Sequence, residues 1–196
     1  MRASMRWSLP PGSASAGVMQ GFHVVGLGGT LRPTSTTSRL LSAALDHAAA
    51  AGARTTLLTG EGIDFPNFDP EASVPNARVD HFVATIRSAD AILIGSPGYH
   101  GTLSGLVKNA LDHVEMTRSD DRVYFDGVPV GLVATAAGWQ AAVTTLQALR
   151  GIVHALRGWP TPIGIAVNSA AGGDVVAEAA PQIDLMMGQI ARFLRK

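Results

Sequence analysis

The chain has 196 residues, of which 46% are hydrophobic and 15% charged, which suits one globular domain and excludes a wholly disordered chain. Fifteen Lys and Arg balance fifteen Asp and Glu, so no net field gathers phosphate backbones, which argues against a general nucleic-acid binder. The absence of Cys removes disulfides, thiolate metal sites and Cys nucleophiles together, and leaves 22 Gly and 11 Pro as the unusual feature of an Ala-rich composition.

Residues 1–20 are rich in Ser, Pro, Gly and Ala. Arg2 and Arg6 imitate the start of a signal peptide, but no apolar run follows them. The segment reads as a disordered tail ahead of one domain at 21–196, with Met19 as an alternative start. No apolar stretch is long enough to span a membrane, and a cytoplasmic location is expected.

Strands and helices then alternate. Residues 22–27 (FHVVGL) are β-branched and bounded by Gly, as in a buried strand. The helix predicted at 34–51 carries Leu40, Leu41, Ala44, Leu45 and Ala48 on one face and stops at Gly52. Residues 54–59 form a second strand, and 60–77, with three Pro, a long loop whose Phe65 and Phe68 could reach across a neighbouring copy. A helix at 78–89 precedes the apolar strand 91–94, and a helix at 102–116 precedes the strand 128–134. The last elements are a helix at 140–156 ended by Trp159-Pro160, a strand at 163–167 and a helix at 181–194. Five β-α repeats with strands apolar throughout predict an α/β fold: a flavodoxin-like, five-stranded, parallel, doubly wound sheet with helices on both faces. Ligands on such sheets bind at the carboxyl ends of the strands. Gly26, Gly28, Gly29, Gly95, Gly98, Gly101 and Gly138 all fall there.

The loop after the first strand, 28–39, holds six Ser and Thr hydroxyls and two Arg before a helix start. Helix N–H groups, hydroxyls and Arg32 together suit a phosphate. The loop after the third strand, Gly95-Ser96-Pro97-Gly98-Tyr99-His100-Gly101-Thr102, sets an aromatic ring and a His beside a rigid turn, a platform for a planar ligand. A nucleophile elbow at Ser96 fails, because the next residue, Pro97, has no N–H for an oxyanion hole. The loop after the fourth strand, Thr135-Ala136-Ala137-Gly138-Trp139, has small residues that let a ligand approach the backbone. Lys108-Asn109 and Asp112-His113 read as packing or capping partners within a helix, and the remaining His show no metal-ligand spacing.

Gly29-Thr30-Leu31-Arg32-Pro33-Thr34-Ser35, followed by Ser96-Pro97-Gly98-Tyr99-His100-Gly101 and then Val107-Lys108-Asn109 and Asp112, resembles the NAD(P)H-dependent FMN reductase family over about residues 22–195. The resemblance implies phosphate contacts from Thr30, Arg32, Ser35, Thr37 and Ser38, and flavin-ring contacts from Pro97, Gly98, Tyr99 and His100. It places Thr135, Ala136, Ala137 and Gly138 at the pyrimidine end of the ring. Gly98 and His100 stand where the family commonly has an acidic residue and Asn. The implied activity is hydride transfer from NAD(P)H to FMN, bound or as a substrate, with no catalytic side chain and no metal. Quinone, azo or chromate reduction at the same site is the alternative, and a flavodoxin-type electron carrier is the non-enzymatic one. The implied partners are a second or fourth copy of the chain, as homodimer or homotetramer, and a flavin-dependent monooxygenase taking reduced FMN. Arg39, Arg118 and Arg122 are candidate partners for a 2′-phosphate.

Overall fold

The computed structural model describes residues 18–71 and 75–195. Of the expected tail, 1–17 lie outside the described residues. Val18–Gln20 form a turn that seats Met19, fully buried, against the first helix, with the Met19 N–H donating to Ala51 O at 2.8 Å.

In chain order the elements are β1 (His23–Gly28), α1 (Thr36–Ala50), β2 (Arg54–Leu58), α2 (Ala77–Arg87), β3 (Ala91–Tyr99), β4 (Thr102–Leu103), α3 (Gly105–Asp112), β5 (Pro129–Ala136), α4 (Trp139–Ala155), β6 (Trp159–Pro160), β7 (Ile165–Asn168) and α5 (Val175–Leu194), with short 3-10 turns at Gly60–Ile63 and His113–Thr117. The parallel strands run in the order β2-β1-β3-β5, and both β6 and β7 pair with the far side of β5. Every residue of β1 and β5 is buried, because helices cover both faces. Val25, Ile92, Ile94 and Leu132 face a core closed by α2, α3 and α4 through Phe82, Val107 and Leu149. Val24, Leu93 and Val133 face α1 and α5 through Leu41, Ala44 and Met186. The doubly wound parallel sheet is therefore as expected.

Three boundaries differ from the sequence reading. Trp159-Pro160 does not end a helix. It opens the fifth parallel strand, which is broken into β6 beside the start of β5 and β7 beside its end. Arg157, at φ 64°, turns the chain back, and the ladder donors are Trp159 and Thr161, each 2.9 Å from a β5-side carbonyl. Pro160 lies between them, so its missing N–H costs the sheet nothing at this edge. The break is bridged by Arg150, which donates to Thr161 O and Pro162 O at 2.9 and 3.0 Å. The final helix starts not at Pro181 but at Val175, capped by Asp174, which accepts from the Val176 N–H. Pro181 and Ala177, whose carbonyl loses its helical donor, are both exposed, so water serves that carbonyl. The helix expected at 102–116 divides into β4, α3 and a 3-10 turn.

The long loop packs on its own chain. Phe65 is buried edge-on to Phe82 and His113, which corrects the idea that it reaches across a neighbour. Asn109 holds the loop down: its side chain donates to Phe65 O and Pro66 O at 3.1 and 3.0 Å and accepts the Phe68 N–H at 2.8 Å. Lys108 pairs with Asp112 at 2.6 Å, and His113 bonds Asn109 O at 2.8 Å, so this cluster is structural, as the sequence suggested.

Two outcomes follow for stability. Asn109→Ala removes three hydrogen bonds and should lower the unfolding free energy by about 2 kcal/mol, read from the urea midpoint; an unchanged midpoint would show that Phe65 alone holds the loop. His23 is buried between Ser88 and Thr56. Burial first, then the Arg54 charge, holds its pKa below the usual 6.5. The unfolded chain then binds a proton that the folded state refuses, so this contribution is full above about pH 6.5 and declines as pH falls below it. His23→Gln should flatten that acid-side decline, and an unaltered pH-stability curve would show that other groups cause it.

Candidate active site

The site is built first by glycines. Gly28 has φ 134°, and a Cβ on it would overlap the carbonyl oxygen of Gly95 on the neighbouring strand. Any side chain there would drive β1 and β3 apart. The same carbonyl accepts the Gly29 N–H at 3.0 Å. A Cβ on Gly95 would come within 2.8 Å of Thr37 Cγ2 and 2.9 Å of Leu41 Cδ1. These absences let the first turn of α1 settle directly over the ends of three strands.

The loop between β1 and α1 is tightly self-bonded. Thr30 Oγ1 accepts the Arg32 N–H at 3.0 Å, and the Ser35 N–H donates to Arg32 O at 3.1 Å. Ser35 caps α1 by accepting the Ser38 N–H at 3.2 Å, and its hydroxyl lies 2.8 Å from that of Ser38. Such a cap leaves the first helical N–H groups, at Thr36 and Thr37, without an intrahelical acceptor. Thr37 Oγ1 and Thr135 Oγ1 are 2.6 Å apart, joining α1 to the end of β5. The six hydroxyls are not equally exposed: Thr37 and Ser38 are 1% and 3% exposed, and each already has one bond within the protein. Arg32 is exposed and pairs with no carboxylate among the described residues.

β3 is longer than its apolar run predicts. It pairs with β1 as far as Gly95 and with β5 as far as Pro97, then overhangs the sheet and returns as β4. The two residues between the paired Tyr99 and Thr102 are His100, φ 50°, and Gly101, φ 92°. Positive φ at both central positions is what a type I′ hairpin turn requires. Ser96, fully buried, fixes the base of the hairpin by accepting the Ser104 N–H at 3.0 Å. Gly98 faces α4, where a Cβ would overlap Thr145 Oγ1 and lie 3.3 Å from the Ala136 Cβ. Tyr99 and His100 are exposed at the tip, and Pro97 is buried beside Thr135.

The third loop completes the edge. Thr135 and Ala136 are buried at the end of β5, Ala137 is exposed, and Gly138 at φ 131° precedes α4 with no side-chain cap. The N-termini of α1 and α4 thus point their unpaired N–H groups at the same sheet edge, where helix dipoles favour negative charge. Trp139, 60% exposed, sits at that edge with Tyr99 and Leu31. The sequence places Trp139 at the end of this loop but gives it no role; its signal was a bulky aromatic directly after a glycine at a helix start.

The three arginines offered for a 2′-phosphate part company. Arg122 donates to Ala89 O, Ile86 O and Arg87 O at 2.6–2.9 Å, closing the C-terminus of α2 at the opposite edge of the sheet. Arg118 lies in the same distant segment, 3.8 Å from Glu115. Arg39 remains at the candidate edge, 3.3 Å from Asp174.

Residues 22–172 match the family model described as NADPH-dependent FMN reductase. The chain belongs to that family. An FMN-dependent NADPH-azoreductase from Staphylococcus haemolyticus is 33% identical over 108 residues, 55% of this chain and 54% of that protein, so the chain spans about half the length of the curated relatives it matches. Among solved structures, an oxidoreductase from Corynebacterium diphtheriae superposes with a TM-score of 0.69 at 19% identity, covering 90% of this chain and 97% of that one. A flavodoxin mutant from Pseudomonas aeruginosa gives 0.60 at 16% identity, covering 86% and 99%. These two establish the flavodoxin-like fold.

At His100 the turn prefers Asn, which tolerates positive φ and leads the Asn-Gly pair of type I′ hairpins. His100→Asn should raise stability by about 0.5 kcal/mol, seen as a small rise in melting temperature. A fall would mean that the imidazole holds the hairpin through its ring.

Proposed function

We propose that this chain is an NADPH-dependent FMN oxidoreductase. The observation that carries the reading is the convergence of the phosphate-sized loop, the overhanging hairpin and two uncapped or partly capped helix N-termini at one sheet edge. The residues present fit FMN. Gly28 and Gly29 leave no side chain over the loop, the first N–H groups of α1 and the Thr30 and Ser35 region supply donors, and Arg32 has no competing carboxylate among the described residues. The phosphate would be held by Thr30, Arg32, Ser35, Thr37 and Ser38, the ring by Pro97, Gly98, Tyr99 and His100, and its pyrimidine end by Thr135, Ala136, Ala137 and Gly138.

FMN, when bound, supplies the chemistry: it accepts hydride from the nicotinamide and passes electrons to an acceptor. The protein's part is positional and electrostatic. Arg32 and α1 anchor the anionic tail, Gly98 lets the hairpin close on α4, and the N-terminus of α4 favours negative charge at the edge it faces. No acid or base is asked of the chain. The azoreductase relatives support an azo-type acceptor, and release of reduced FMN to a monooxygenase is the variant in which FMN is itself the substrate. A carrier role is disfavoured, since exposed Arg32 on the loop of the candidate edge is the reverse of an acidic docking face. The reading includes a cytoplasmic location and a homodimer or homotetramer, the assembly supported by the exposed Trp139, Tyr99 and Val143.

Two measurements test this. Steady-state oxidation of NADPH and NADH, with and without added FMN, should show turnover that depends on flavin, with NADPH preferred; no turnover with either coenzyme would refute an enzyme. Arg32→Ala should weaken FMN by about 10- to 100-fold, since a charge-assisted phosphate contact is worth 1.5–3 kcal/mol, while riboflavin, lacking the phosphate, should change little. Equal loss for both flavins would mean that the loop does not hold the phosphate.

A further inference from the structure

We propose that Thr135 is a positioning residue that acts through Thr37, so that an anion at the start of α1 is felt by the 135–138 loop on the far side of β3. The inference rests on the FMN reading above.

The two threonines belong to different units. Thr37 is the second residue of α1, Thr135 the next-to-last of β5, and β3 lies between β1 and β5. Their hydroxyl oxygens nevertheless approach to 2.6 Å, with the residues 1% and 4% exposed. The bridge passes over Gly95, where any Cβ would press on the Thr37 methyl group. Both side chains are β-branched and stiff, so the contact transmits position rather than absorbing it.

The proton count gives the bridge a direction. Two hydroxyls carry two protons, and their mutual bond uses one. Neither hydroxyl has a second partner among the described residues. One proton is thus left for whatever fills the cradle, in a place shielded from water. An anion beside the first turn of α1 draws that proton from Thr37, because Thr37 is the member on the helix. Thr37 then offers its oxygen to Thr135, which donates in turn. The order becomes Thr135 to Thr37 to anion, and each bond polarises the next. Thr135 is followed at once by Ala136, Ala137 and Gly138, so the loop expected at the pyrimidine end of the ring is pulled into register when the phosphate is present.

A ligand-by-variant comparison separates coupling from simple contact. Dissociation constants for FMN and for riboflavin are measured on the full chain and on Thr135→Val, Thr135→Ser and Thr135→Ala, with melting temperature as the folding control. Thr135→Val keeps the shape and loses the hydroxyl, and should reduce the preference for FMN over riboflavin about fivefold, although residue 135 lies at the loop and not at the phosphate. Thr135→Ser should restore the wild-type preference. Thr135→Ala cannot overpack the site and should repeat the loss if the Val variant does not fold. Equal weakening of both flavins, or an unchanged preference, would overturn the coupling. A wild-type protein that binds both flavins equally would instead overturn the FMN reading, so the two failures are distinct.

Discussion

The approach of Gly28 to the carbonyl of Gly95 is the contact on which the candidate site depends. Two neighbouring strands meet there with no room for a Cβ, and the same carbonyl takes the Gly29 N–H at 3.0 Å. With side chains absent at 28 and 95, α1 begins low over the sheet instead of beyond it. Leu41 can then enter the core between α1 and α5 while Thr37, one turn earlier, reaches β5. A larger residue at either glycine would not merely fill space. It would lift the helix start off the strands and separate the hydroxyl bridge from the loop that follows β1.

Most of the site is backbone held by packing. β3 is buried from Ala91 to Pro97 and overhangs the sheet only because Ser96 pins the hairpin and Gly98 lets it lie against α4. The donors that suit an anion are helix N–H groups, which titrate at no accessible pH. That part of the site needs no shifted side-chain pKa. The groups with clearly shifted pKa are elsewhere: His23 is buried at the start of β1, and Asp120, held below the usual carboxylate range by its bond to Arg87, lies at the opposite edge.

What could be read from the sequence divides along physical lines. Fully apolar segments such as 91–94 and 128–134 announce buried parallel strands, because burial on both faces leaves no alternation. The glycine loops announced the edge at which they cluster. Proline misled twice, at Pro160 and Pro181, because a missing N–H is harmful only where a partner waits for it. At Pro160 the ladder uses the flanking residues, and at Pro181 the affected carbonyl is solvated. The extension of β3 was hidden because its last residues form a hairpin turned by His-Gly, where Asn-Gly would have been recognised. The six hydroxyls of the first loop were legible as a group, but which of them face inward depends on the direction of each side chain around α1. That direction is set by Gly95 and Thr135, which lie far away in the chain.

Zero net charge looks at first like a poor match for an anion site. The ion pairs resolve the conflict. Arg87 is joined to Asp120 by two bonds, Lys108 to Asp112, Arg118 to Glu115 and Arg39 to Asp174, so these four cations are neutralised locally. Asp174 is doubly engaged, because the oxygen facing Arg39 also caps α5 through the Val176 N–H at 3.1 Å. It cannot turn toward the first loop without uncapping that helix. Arg32 pairs with no carboxylate among the described residues and lies on the loop that leads into α1, whose N-terminus favours an anion whatever the sum over the chain. Net charge governs encounters with extended polyanions over many ångströms, whereas a single phosphate responds to the charges within one Debye length, on the order of 10 Å. The same composition that argues against a nucleic-acid surface is therefore compatible with a site for one small anion.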